Sequence, residues 1–186
     1  MITKRYHFET IDSTNKMAKE LAQSGCLHGT LVTADAQEAG VGRRGRNWSS
    51  EKGAGIYMSM VLRPEIEADK ASMLTLVAAM AVEQAVNHII SESESDAQAM
   101  IKWPNDIVLQ KKKLSGILTE MSLIGTAIDY VVVGIGINAN NKQFPKEIAS
   151  TATSLSIEMG HDIDKEVLIS EVWKQFAVHN RGRGHM

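Results

Sequence analysis

Cysteine is almost absent. Cys26 is the only one in 186 residues, which excludes an intrachain disulfide and fits a reducing compartment. Near a helix end it reads as a small apolar filler, not as a nucleophile. Metal-ligand spacing is missing as well. The histidines at 7, 28, 88, 161, 179 and 185 form no compact pair, so no metal site is expected. There is no long apolar run. The most apolar stretch, residues 73–82, gives way to Glu83 and Gln84, well short of the ~20 residues that cross a bilayer. The first fifteen residues lack the apolar core of a signal peptide. These absences together predict a cytoplasmic protein with no membrane partner. Neither charge sign dominates, since 20 Lys and Arg stand against 22 Asp and Glu for a net −2. That argues against wholesale nucleic-acid binding. With no repeat and no clear linker, the length suits one domain.

What is present is uneven. Residues 40–48 read GVGRRGRNW, three arginines and three glycines in nine positions of a slightly acidic chain. Residues 101–118 read IKWPNDIVLQKKKLSGIL, with a Pro-Asn turn, Asp106 and three consecutive lysines.

Around these, the pattern predicts a strand at 6–10 and a helix over 13–25. Ser13 or Thr14 would cap that helix, Gly25 would end it, and Met17, Ala18 and Leu21 would form its inner stripe. Strands follow at 30–36 and at 55–64, the latter alternating. A helix over 70–90, apolar nearly all round, is expected to be covered on several sides. The acidic stretch 91–98 reads as a solvated loop. Short strands flank the Pro-Asn turn, with Trp103 a candidate for the core. Strands at 113–121 and 129–140 are joined near Gly125, and the second, apolar on both alternating sets, is expected at the centre of the sheet. A last helix over 164–179 would carry Val167, Leu168, Val172, Trp173 and Phe176 on one face. Consecutive strands in excess of helices predict an α+β fold, a mixed, mainly antiparallel sheet with helices packed on it.

A glycine-rich turn lets backbone N–H groups approach an anion, and arginines add forked donors for phosphate or carboxylate. Trp48 adds a flat face. The loop therefore suits a nucleotide, with a solvated basic loop as the alternative. It is not a Walker A loop, because no GxxxxGK[ST] occurs. GIGIN (134–138) lacks the third glycine and following helix of a dinucleotide fingerprint. Of the three lysines, alternation through LSGIL predicts that Lys113, Ser115 and Ile117 share one face, with Lys112 and Leu114 on the other.

The order STN, ADAQEAGVGRRGRNW, GIYMSMVLRP, KWPNDI, KKLSGIL, GIGIN, from about residue 6 to residue 140, resembles the catalytic domain of biotin protein ligases. The resemblance implies a class II aminoacyl-tRNA synthetase-like catalytic fold. It also implies activation of biotin with ATP to biotinyl-5′-adenylate, with Mg²⁺, followed by transfer to a lysine of a biotin carboxyl carrier domain. It assigns Ser13, Thr14, Asn15, Gln37, Tyr57 and Ser59 to the biotin pocket. Gly40, Val41, Gly42 and Arg43 would wrap the biotin carboxylate and phosphate, and Gly116, Gly134 and Gly136 would allow close approach. Arg43, Arg46, Trp48, Asn105 and Asn138 fall to the adenylate, and Lys113, with Arg43, to charge neutralisation at the reacting centre. Pairing through a sheet edge into a homodimer is common among such enzymes.

The sequence also departs from the family. Val41 stands where many members carry a basic residue, and Glu38 where a small hydroxyl is usual. Family members usually continue into a small β-barrel domain, so residues 1–180 are expected to be the catalytic domain and 181–186 a stub. Those that bind DNA carry a winged helix ahead of the core, for which there is no room here, so no DNA-binding role is expected. The rival readings are a lipoate-type ligase, whose usual RRxSGGG-type loop is missing, and a non-catalytic binder of biotin or its adenylate.

Overall fold

The computed structural model describes residues 2–93 and 95–181. Its seven strands are β1 (Lys4–Ile11), β2 (Thr30–Gln37), β3 (Ile56–Leu62), β4 (Ala99–Lys102), β5 (Asp106–Leu109), β6 (Lys112–Ile124) and β7 (Ala127–Ile137). They form one sheet in the order β1-β2-β3-β7-β6-β5-β4. Only β1 and β2 run parallel, and every other pair is antiparallel. The mixed, mainly antiparallel sheet is the one expected, and β7 is its central strand.

The sheet has two differently used faces. On one, α2 (Met73–Ser91) and α4 (Lys165–Arg181) cover a large core that includes Leu31, Met58, Met60, Val133, Ile135 and Trp173. On the other, α1 (Thr14–Gln23) lies across β2, β3 and β7 over Val32, Val61, Tyr130 and Val132. This second face leaves room beside α1 for a cleft.

Several local expectations change once both faces are seen. In β3 every residue is buried, because helices cover both sides, so the strand does not alternate. The inner stripe of α1 is Ala18 and Ala22, with Thr14 and Asn15, while Met17 and Leu21 are only half-buried. Short side chains let this helix lie close to the sheet. Ser13 sits at the N-cap but makes no capping side-chain bond. Gln37 Oε1 accepts from the Thr14 N–H instead, at 2.8 Å. Gly25 follows the helix in the left-handed region, φ 82°, as a C-terminal glycine does. In α4, Asp164 Oδ1 accepts from the N–H groups of Glu166 and Val167. Leu168, Val172, Trp173 and Phe176 face inward, but Val167 is exposed. Trp103, a core candidate by composition, is 82% exposed. A short helix, α3 (Leu155–Met159), precedes α4 where the sequence pattern gave no element. By length and composition the helical region Ala68–Ser91 could pass for a membrane span, but the sheet and α4 occupy its apolar sides. Residues 182–186 of the expected stub lie outside the described residues.

The β5–β6 hairpin positions the lysine run. Gln110 (φ 49°) and Lys111 (φ 65°) form its tight turn, both in the left-handed region. The pairing then slips. Val108 pairs with Lys113, but its neighbour Ile107 pairs with Ser115, so Leu114 is an extra residue, a β-bulge. A bulge resets the two-residue alternation. Leu114, Ser115 and Ile117 are buried, and Lys113 shares a face with Gly116. The expected grouping of Lys113 with Ser115 and Ile117 is therefore corrected. Unbulged alternation would have turned the ammonium toward the core. The bulged backbone is not left unpaired. Lys113 N–H donates to Thr151 O at 2.7 Å, and Lys113 O accepts from Thr153 N–H at 2.9 Å.

Candidate active site

The arginine loop is a miniature hairpin. Trp48 N–H donates to Gly40 O at 2.9 Å, Gly42 N–H donates to Arg46 O at 2.6 Å, and Val41 bridges Asn47. The tip, Arg43–Gly45, is one 3-10 turn with Arg44 at φ 59° and Gly45 at φ 72°. Arg43, Arg44 and Arg46 are exposed, and none makes an ion pair among the described residues. Three unpaired guanidinium groups on one turn repel each other and leave their donors available to an anion.

This hairpin roofs a cleft with two cavities. The inner one, about 50 Å³, is lined by Ser13, Thr14, Asn15, Gln37, Val41, Gly42, Arg43, Trp48, Asn105, Lys113, Gly116, Gly134 and Gly136, among others. The outer one, about 610 Å³, takes in Arg43, Arg44, Arg46, Trp48, Trp103, Asn105, Lys113, Asn138, Phe144 and Ile148. Arg43, Trp48, Asn105 and Lys113 border both.

Three glycines make the floor possible. Gly116 and Gly136 are direct partners across β6 and β7, and the Trp48 indole lies over both. A Cβ at Gly136 would stand 2.5 Å from the ring, and one at Gly116 would stand 2.9 Å away. Gly134 lies under the Asn15 amide, where a Cβ would come within 1.9 Å of Oδ1. No other residue fits these three positions without displacing the group above.

The inner floor is polar but neutral. Ser59 Oγ lies 2.6 Å from Asn15 Oδ1 and 2.8 Å from Thr14 Oγ1. Thr14 meets Gln37 Oε1, and Gln37 Nε2 donates to Ser50 Oγ at 3.1 Å. Ser59 is fully buried and supports this network from below rather than lining the cavity. Tyr57 does not line it either. Its hydroxyl donates to Glu51 O at 3.0 Å, and burial pushes its pKa up to about 12, so the phenol stays neutral. Gly40 is also under the surface, packed against Ser50, Trp48 O and Gln37.

Positive charge begins at the junction of the two cavities, with Arg43 and Lys113, and continues along the outer one with Arg44 and Arg46. Lys113 Nζ stands 2.8 Å from Asp106 Oδ1 and 5.4 Å from the Trp48 ring centroid. That oxygen carries no well-aligned hydrogen bond despite its distance, and the buried Trp48 Nε1 has no partner. Asn105 is tied to β6 in both directions, with Nδ2 donating to Ile117 O and its own O accepting from Ile117 N–H. Asn138 Nδ2 donates to Thr153 O at 3.0 Å. Glu120 was not singled out by sequence, yet its carboxylate accepts from Asn15 Nδ2 and Lys19 Nζ, both at 2.8 Å. An acid placed among the core residues of KLSGILTEM was the signal available.

One face of the sheet thus offers a neutral polar slot, a cationic junction and a wide outer chamber. The chain belongs to the biotin/lipoate A/B protein ligase family, whose model matches residues 7–138. It is 46% identical over 166 residues to the bifunctional ligase/repressor BirA of Bacillus spizizenii, covering 88% of this chain and 50% of that protein. It is 38% identical over 169 residues to the biotin–[acetyl-CoA-carboxylase] ligase of Paracoccus denitrificans, covering 89% of this chain and 68% of that one. The chain thus spans about half the length of the first of these relatives. Among solved structures, the Aquifex aeolicus biotin protein ligase in complex with biotin and ATP superposes with a TM-score of 0.82 at 33% identity, over 96% of this chain and 71% of that one. The Leishmania major biotin protein ligase in complex with biotinyl-5-AMP gives 0.76 at 25% identity, over 96% and 76%.

Proposed function

We propose that the chain activates biotin with ATP and transfers it to the lysine of a biotin carboxyl carrier domain. The observation that carries this reading is the junction itself. Arg43, Trp48, Asn105 and Lys113 border both a neutral polar slot and a chamber large enough for a nucleotide. A ureido ring needs donors and acceptors without charge, and the Ser13–Thr14–Asn15–Gln37 floor supplies both. A valerate carboxylate reaching out of the slot arrives at Lys113 and Arg43.

In the first step a biotin carboxylate oxygen attacks the α-phosphorus. The new O–P bond forms as the bond from the α-phosphorus to the bridging oxygen breaks, and pyrophosphate leaves with that electron pair. Two anions must meet, so the lysine ammonium and the unpaired loop guanidinium groups act by neutralisation and positioning. In the second step a carrier lysine amine attacks the acyl carbon. AMP leaves, and the amine loses a proton. Mg²⁺ would enter as part of the MgATP substrate. Among the described residues no group of three or more His, Cys, Asp or Glu could hold a metal, and Asp106 is the one carboxylate lining the outer chamber.

The decisive measurement is the mass of a carrier domain incubated with the protein, biotin and MgATP. A gain of one biotinyl group is expected, and none with lipoate in place of biotin. Lipoylation instead would favour the lipoate-type ligase. Binding without pyrophosphate release would favour a non-catalytic binder. The part of the molecule described carries one basic loop rather than a basic face, so DNA is not among the partners proposed for it. A reducing, cytoplasmic setting fits the single cysteine, and homodimerisation through a sheet edge is open to sedimentation.

Two further outcomes follow from the loop. Trp48→Ala is expected to weaken a stable adenylate analogue several-fold to about tenfold, the worth of one aromatic stack, and to affect biotin alone less. Calorimetry with the two ligands checks this, and a larger loss for biotin alone would move Trp48 out of the nucleotide site. Residues 40–52 are expected to gain hydrogen-exchange protection on adding biotin or the adenylate, because a bound anion relieves repulsion among three exposed arginines. Equal protection with and without ligand would oppose that.

A further inference from the structure

Glu120 lines neither cavity, yet it is bonded to one residue that does. Its carboxylate takes Asn15 Nδ2 on one oxygen and Lys19 Nζ on the other. Burial raises the carboxyl's pKa, but hydrogen bonds from Lys19 and Asn15, with the Lys19 charge, outweigh it and hold the group below the ordinary range. An ionised carboxylate can only accept. The Asn15 amide must therefore turn its NH₂ to Glu120 and its oxygen to Ser59. It cannot swing aside, because Gly134 lies directly beneath it.

The consequence passes along the floor. Ser59 sits 2.6 Å from Asn15 Oδ1, so it must spend its single proton there. Its contact with Thr14 Oγ1 at 2.8 Å can then be filled only by the Thr14 proton. At the far end the Thr14 N–H, a fixed donor, holds Gln37 with its oxygen inward. The Thr14 proton then has two acceptors in reach, Ser59 Oγ and Gln37 Oε1 at 3.1 Å, while the Asn15–Ser59 end of the chain keeps a single polarity. Without a charge at Glu120 the Asn15 amide could flip, with Ser59 donating to Thr14 and Thr14 to Gln37. That second arrangement shows the cavity a different face at Thr14 and Asn15.

We propose that Glu120 is a positioning residue that fixes the donor–acceptor polarity of the pocket floor, and through it the pocket's preference for a ureido group. The inference rests on the biotin reading above. Its test uses 2-iminobiotin, in which an imino nitrogen replaces the ureido oxygen, so that an acceptor becomes a donor in the same shape.

Calorimetry on the whole chain would compare biotin with 2-iminobiotin for the unsubstituted protein, E120Q, E120D and K19M, each checked for folding by its thermal midpoint. The unsubstituted chain should strongly prefer biotin. E120Q keeps the size of the side chain but can donate or accept, and should reduce the affinity ratio by about tenfold or more, as the loss of a bond to a charged group does. E120D should restore most of the ratio. K19M, which removes only the half-exposed ion pair, should leave the ratio within about twofold. An unchanged ratio in E120Q, or parallel loss of both affinities, would overturn the proposal and leave Glu120 a structural residue. A K19M effect equal to that of E120Q would also overturn it, by assigning the effect to the ion pair. Failure of the unsubstituted chain to bind biotin is a separate outcome, which removes the biotin reading and this inference with it.

Discussion

Lys113→Ala is expected to lower pyrophosphate release from biotin and ATP by about 10²–10³, the cost of one preorganised group that stabilises developing charge. Lys111→Ala and Lys112→Ala should stay close to the unsubstituted rate. The three lysines are consecutive, so composition cannot separate them, but the backbone does. Lys111 is spent on the hairpin turn and Lys112 is exposed. Only Lys113 borders both cavities, facing Gly116 and 5.4 Å from the Trp48 ring. Its ammonium is matched to Asp106. An arriving phosphate would compete for it, so the charge is held in place before the substrate comes. Circular dichroism should show an unchanged fold, because Lys113 supports no core residue. Loss of activity in Lys112→Ala with Lys113→Ala active would mean the bulge is misplaced. Near-normal rates in all three variants would remove the lysine from the chemistry.

Gly134→Ala should abolish measurable biotin binding and lower stability by about 1–3 kcal/mol, the usual cost of forcing extra volume into a packed site. The added Cβ falls 1.9 Å from Asn15 Oδ1. Asn15 cannot retreat, because Ser59 and Glu120 hold it from two sides. Gly136→Ala is the informative contrast. Its Cβ would meet the Trp48 indole, which rides on an exposed hairpin and can lift away. Its thermal midpoint should therefore stay near the unsubstituted value while adenylate binding falls. Denaturant melts and calorimetry on the pair decide the matter. Normal biotin affinity in Gly134→Ala would show that the Asn15 position is not part of the slot.

The sheet was largely legible because its strands are bounded by turn residues and β7 is apolar on both sides. The errors have physical causes. Alternation was expected in β3, but a strand covered by helices on both faces has no wet side. Met17 and Leu21 looked like the inner stripe of α1 by size, whereas closeness to the sheet selected Ala18 and Ala22. Trp103 looked like core by type and is exposed at the rim of the outer chamber. At the site, the motifs brought Ser13, Thr14, Gln37, Arg43, Trp48, Asn105 and Lys113 to one cleft, since each lies in or beside a short distinctive segment. Spacing could not reveal that Ser59 works from beneath, that Tyr57 turns to Glu51, or that Glu120 braces Asn15. Such relations depend on which strands become neighbours.

The extra residue at Leu114 is in effect a phase error in a repeat of period two, and a phase error can be undone by another. A chain that lost Leu114 alone would keep its three lysines and its charge, yet point the ammonium at the core. Length in this hairpin is thus under tighter constraint than composition. A relative or a redesign should be judged first by whether its insertions and deletions here come in pairs.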